Sequence, residues 1–216
     1  MAKSVTASSD RRTKRRLQHQ DLSRAQLLDA AERIFGQRGF HETTLKEVAE
    51  RAGFSVGSVY SFFENKDDLF RQVFLRRGQE YMPAMRDVLV EGDPDPLDQL
   101  HRLVDFEVGF FRQHPQFGRL FLWHAGPTLR AEEPDMDPAI SENFEEAMVL
   151  QAALFERGQQ AGVFRQGDPV VLGRLLSGLV SAYQALDPAV VDDGHEASER
   201  FPLTDLHAIV EAAFRA

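Results

Sequence analysis

Apolar positions recur every three to four residues along most of this chain and nowhere alternate in strand fashion, so the pattern predicts an all-α protein of about nine helices. Leu27, Leu28, Ala31, Ile34 and Phe35 mark a first helix over about 24–38, with Ser23 and Gln26 as a capping box and Gly39 as its stop. Thr44 with Glu47 repeats the capping-box signal ahead of a short helix at 45–51, whose Leu45, Val48 and Ala49 form an apolar face and which Gly53 can close in the left-handed conformation. Ser55 caps a third helix reaching about Phe62. Asn65 caps a fourth, with Asp67 and Asp68 in its first turn; it extends to about Val90, and Pro83 is expected to kink or break it. After a turn cluster, EGDPDP at 91–96, helical spacing returns at about 97–113, 116–125, 138–158, 169–186 and 203–215.

These elements divide the chain. Residues 1–20 contain RRTKRR and almost nothing apolar, which predicts a flexible basic arm. Its Arg11, Arg12, Lys14, Arg15 and Arg16 either touch phosphates or a minor groove, or serve only as a solubilising tail. Residues 21–81 hold two short helices joined by a tight Gly turn and packed on a longer one. That is a helix-turn-helix arrangement, with the motif at about 44–63. Residues 82–216 form a second helical domain.

Charge supports the division. The chain carries a formal −9, yet residues 1–70 hold 12 Lys/Arg against 10 Asp/Glu while residues 71–216 hold 13 against 24. A nucleic-acid contact is therefore local to the N-terminal part. With 43% apolar and 27% charged residues the composition is that of a globular domain. No cysteine is present, which excludes disulfides, thiolate metal sites and Cys nucleophiles. The absence of an apolar leader and of a spanning-length apolar run predicts a cytoplasmic protein with no membrane partner.

The run from Leu27 to Phe74, through AAERIFGQRGF, TTLKEVAERAG, SVGSVYSFF and NKDDLF, closely resembles the DNA-binding domain of the TetR/AcrR family of bacterial transcriptional repressors. The resemblance implies phosphate contacts from Thr44, Tyr60 and Lys66, and base-facing positions at Ser55, Val56, Gly57, Ser58, Ser61 and Phe62. It leaves Val48, Ala49, Val59 and Phe63 to the core. Two positions depart from the family pattern, where His is common in place of Phe62 and a longer polar residue in place of Val56. The third helix carries none of the Arg, Lys, Asn or Gln side chains that give strong direct readout, so base recognition is expected to be sparse.

In the second domain the helix at 97–113 is apolar on more than one side, and FEVGFFRQHPQFGRLFLWH interleaves aromatics with His101, Asp105, His114 and His124. Such a stretch reads either as a plain aromatic core or as the wall of a small-molecule cavity. The resemblance favours a cavity for an apolar effector, with Leu103, Phe106, Phe110, Phe121, Trp123, His124, Phe144 and Met148 as candidate lining. His101 and Asp105 lie four apart but lack a third ligand at metal spacing, so neither metal nor cofactor is expected. Leu172, Leu175, Leu176, Leu179 and Tyr183, with Leu206, Ile209, Val210 and Phe214, repeat at helical spacing in the last two helices. The bland interpretation is packing within the chain; the resemblance implies a homodimer interface. No nucleophile motif, phosphate loop or convergent acid–base set accompanies them, which argues against an enzyme. The expected function is a ligand-responsive repressor of a DNA operator. The alternative is a DNA-binding or interaction module with little sequence specificity.

Overall fold

The computed structural model describes residues 3–90, 95–128, 137–191 and 202–216. Among them the chain forms ten helices: α1 (Lys3–Arg38), α2 (Leu45–Ala52), α3 (Val56–Tyr60), α4 (Lys66–Val90), α5 (Pro96–Gln113), α6 (Pro115–Thr128), α7 (Pro138–Gln160), α8 (Pro169–Gln184), α9 (Pro188–Val191) and α10 (Leu203–Phe214). The all-α prediction holds; the one β-type pairing among these residues is an isolated bridge between Phe164 and Arg215. The additional element is the single turn α9, whose first amides are capped by Asp187: Ala189 N–H donates to its Oδ1 at 3.0 Å.

Two compact units divide between Val73 and Phe74, and α4 runs across the division. In the first unit, α1 starts far upstream of the predicted helix. The expected flexible arm is helical from Lys3, because no Gly or Pro interrupts residues 3–35 and Arg, Lys, Gln and Leu all favour helix. Ser23 accordingly does not cap. It lies inside α1 and its hydroxyl donates back to the His19 carbonyl at 2.8 Å.

The other caps form as the sequence predicts. Gly39 and Gly53 adopt positive φ, 79° and 76°. Thr44 and Glu47 close a full capping box, Ser55 accepts from the Ser58 amide, and Asn65 Oδ1 accepts from the Asp68 amide at 2.8 Å. These caps hold three short segments around a core of Leu28, Phe35, Val48, Val59, Phe63 and Leu69, all nearly inaccessible. Each such buried large side chain contributes about 1.5–3 kcal/mol. Phe70 meets Phe35 and Phe40 edge-on, at 5.3 and 5.0 Å between ring centroids.

In the second unit α4 passes through Pro83 without a break, and Pro83 itself is exposed. Met85, Leu100, Leu103, Leu154, Leu176 and Val210 bring α4, α5, α7, α8 and α10 into one core. Asp168 caps α8, accepting from the Val170 and Val171 amides, and Asp95 caps α5. Arg112 ties α5 to the end of α8: its Nε donates to the buried Asp187 carboxylate at 2.6 Å and its Nη2 to Tyr183 Oη at 2.8 Å.

Candidate functional site

The helix-turn-helix is formed by α2 and α3. The Gly53 N–H closes α2 on the Glu50 carbonyl and the Phe54 N–H on that of Ala49, a reversal that needs the left-handed Gly53. α3 is only five residues long, ending two residues before the predicted Phe62, because Ser61 closes it: the Ser61 hydroxyl donates to the Ser58 carbonyl at 2.6 Å.

The structure sorts the predicted DNA-facing residues. Val59 and Phe63 are fully packed, as expected. Ser55, Gly57, Tyr60 and Ser61 are exposed, Tyr60 at 58%, while Val56, Ser58 and Phe62 are half-buried. The three serine hydroxyls all have work within α3, since Ser55 and Ser58 Oγ also lie 2.8 Å apart. Thr44 Oγ1 accepts from the Glu47 amide and donates to Glu47 Oε2 at 2.8 Å, and this last bond, together with the one the Thr44 N–H donates to the same oxygen at 2.9 Å and with Arg38 nearby, holds the Glu47 carboxyl below the usual carboxylate range. Lys66 is drawn inward. Its ammonium donates to the carbonyls of Phe40 and Thr43, at 2.9 and 3.1 Å, and lies 4.3 Å from the centre of the Phe40 ring. Lys14, Arg15 and Arg16 are exposed on α1; the side chains of Arg11 and Arg12 fall outside the described residues.

In the second unit, four of the candidate cavity residues, Phe106, Phe110, Phe121 and Phe144, join one aromatic cluster through Phe111. The Tyr81 ring stands 5.0 Å from those of Phe106 and Phe110, and Phe121 stacks on Phe144 at 5.7 Å. Leu103 is fully buried, Met148 half-buried and Trp123 51% exposed; the His124 side chain is outside the described residues. The periodicity did not single out the polar centre of this region. Glu107 is 5% exposed, and its Oε1 accepts from Tyr81 Oη and Gln151 Nε2, both at 3.1 Å. Ser177 Oγ donates to Gln151 Oε1 at 3.0 Å, and Gln184 Nε2 to the Glu107 carbonyl at 3.3 Å, so the network joins α4, α5, α7 and α8. Desolvation pushes the Glu107 carboxyl up to about 7. The available signal was its position: Glu107 lies four residues from both Leu103 and Phe111, on a buried face of α5.

Of the dimer candidates, Leu172, Leu176, Tyr183, Leu206, Val210 and Phe214 are 7% exposed or less and pack inside the chain. Leu179 is half-buried, whereas Leu175 and Ile209 are 55% and 43% exposed. Periodicity finds an apolar face but not what covers it. His101 and Asp105 do not act as a pair either: Asp105 bonds His207 on α10 at 2.8 Å, and no group of residues suited to a metal ion occurs among those described.

A helix-turn-helix followed by a separate all-helical unit defines a class of DNA-binding regulators rather than enzymes. Family models agree: "Bacterial regulatory proteins, tetR family" matches residues 27–73, and "Tetracyclin repressor-like, C-terminal domain" matches residues 96–188, together more than half of the chain. The chain belongs to the TetR family. The HTH-type transcriptional regulator TtgR of Pseudomonas putida is 36% identical over 94 residues, 44% of this chain and 43% of TtgR. The chain spans less than half the length of the curated relatives it matches. Among solved structures, the ketosteroid transcriptional regulator KstR2 of Mycobacterium tuberculosis superposes with a TM-score of 0.72 at 19% identity, covering 89% of this chain and 95% of that one. The regulator FadR of Bacillus subtilis, in complex with stearoyl-CoA, gives 0.68 at 17% identity, covering 87% and 95%. Among the described residues no helix is long and apolar enough to cross a membrane.

Proposed function

We propose that this protein is a ligand-responsive transcriptional repressor that binds a DNA operator in the cytoplasm as a homodimer and releases it when a small apolar molecule occupies the second unit. The observation that carries the DNA-binding part is the exposed edge of α3 with its flanks, Ser55, Gly57, Tyr60 and Ser61, held by caps on both sides and backed by the buried Val59 and Phe63. Thr44 at the start of α2 and Tyr60 then contact phosphate, and Lys14, Arg15 and Arg16 add charge from α1.

Two-fold symmetry is what a helix-turn-helix uses to read paired half-sites. The face that fits such a contact is Val171, Leu175, Gly178 and Ala182 on α8 with Ala208, Ile209 and Ala212 on α10: small or apolar positions at helical spacing, several of them open to solvent. The aromatic cluster around Tyr81, Phe106, Phe110 and Phe144 supports an apolar effector, as does the structural neighbour FadR, which is in complex with stearoyl-CoA. Release follows from differential affinity: the effector favours a position of α4 in which α3 no longer suits the groove.

The sparse side-chain chemistry of α3 favours one rival, a DNA-binding module of little sequence specificity. Selection of genomic fragments by the full-length protein separates the two. A repressor enriches a few near-palindromic sites, and a non-specific binder enriches none.

A further inference from the structure

Glu107 is 5% exposed, yet among the described residues no Lys, Arg or His pairs with it. Two neutral donors, Tyr81 Oη and Gln151 Nε2, both address Oε1, and no described donor or acceptor reaches Oε2. The ionised carboxylate lacks a counter-charge, and Oε2 has no partner among the described side chains. An unpaired carboxyl is a costly group to bury for stability alone.

The neighbours of this group define what would complete it. The Tyr81 ring, whose hydroxyl holds Oε1, lies against Phe106 and Phe110, so aromatic faces and edges gather beside a carboxyl oxygen without a partner. Aromatic faces attract a desolvated cation, and a carboxylate takes its N–H. Resting on the repressor reading above, we infer that Glu107 is the polar anchor of the effector site and that the effector is an apolar organic amine, bound as its ammonium with one N–H on Glu107 Oε2 and its hydrocarbon part among the rings.

The carboxyl titrates near 7, so binding of an ammonium releases the proton that part of the population carries. The amine keeps its own proton, and the released one goes to solvent. Ionising Glu107 strengthens the bond from Tyr81, which gives the amine a direct hold on α4.

Calorimetry on the full-length protein with octylamine, phenylbutylamine and naphthylmethylamine, each against the alcohol of the same skeleton, tests this. Titrations run near neutral pH in phosphate and in Tris, whose different protonation heats report proton release. At least one amine should bind about tenfold or more tighter than its alcohol and release a fraction of a proton. Glu107→Gln should lose both the preference and the release. Independently of that variant, amine affinity in the wild type should rise as pH passes through about 7, while alcohol affinity stays flat. Equal binding of amines and alcohols, a flat amine profile, a preference retained in Glu107→Gln, or no amine binding at all overturns the inference. Wild-type operator binding measured without amine keeps the two claims apart: operator selectivity without amine binding removes only the amine, and absent selectivity removes the repressor reading.

Discussion

Tyr81 on α4 donates its hydroxyl to the buried carboxyl of Glu107 on α5 at 3.1 Å. Burial and the Glu107 charge raise the Tyr81 phenol well above its ordinary value, so it remains a donor throughout the neutral range. Its bond also opposes the upward push of desolvation on Glu107. Tyr81→Phe should therefore cost about 1 kcal/mol of stability and move the Glu107 titration higher still. Denaturant unfolding and a pH titration of stability measure the two effects.

Glu107 makes stability depend on pH with a definite sign. The folded-state value, about 7, lies above the ordinary 4.5, so the folded protein holds the proton more tightly than the unfolded chain. This group's contribution is fully present below about 4.5, declines between there and 7, and is lost above, an effect of a few kcal/mol. The difference in unfolding free energy between wild type and Glu107→Gln should fall as pH rises from about 5 to 8 and level off beyond.

Lys66 and Thr44 should behave as structural residues when substituted, whatever they contribute to DNA. Lys66→Ala removes the ammonium from the Phe40 and Thr43 carbonyls and from the Phe40 ring and should cost about 1–2 kcal/mol. Thr44→Ala removes the α2 cap and should cost about 1 kcal/mol. Thermal unfolding of both variants checks this before any loss of DNA affinity is assigned to phosphate contacts.

Tyr60 offers the opposite contrast. Its ring is 58% exposed, so Tyr60→Phe should leave the unfolding temperature unchanged and weaken DNA binding severalfold. Fluorescence anisotropy with a selected fragment, paired with a thermal melt, measures both.

How much was legible in the sequence follows from what each element depends on. Thr44 with Glu47, Ser55, Asn65 and Asp168 were readable because a cap is a local contract between a side chain and amides two or three residues away. Ser23 carried the same local signal, yet it lies within α1, because the segment before it contains nothing to stop a helix. Faces were harder to read than elements. Leu172 and Leu175 look alike in sequence, but one is 7% exposed and the other 55%, a distinction that arises only when α7 and α10 pack beside α8. Glu107 escaped notice because its importance lies in its partners Tyr81 and Gln151 and, through Gln151, in Ser177, which come from three other helices.

The exposed face of α8 and α10 gives a prediction about assembly. Leu175→Glu with Ile209→Glu should convert a dimer to monomer without unfolding it, since both side chains are exposed within the chain. Sedimentation equilibrium measures the mass, and circular dichroism confirms that the helices persist.

The central claim is that this chain discriminates among DNA sequences. Its most direct test is the affinity of the full-length protein for a fragment it selects from genomic DNA against a scrambled fragment of the same length and composition, at about physiological salt. A repressor should bind the selected fragment about a thousandfold or more tighter. Equal affinity for the two, falling together as salt rises, would contradict it.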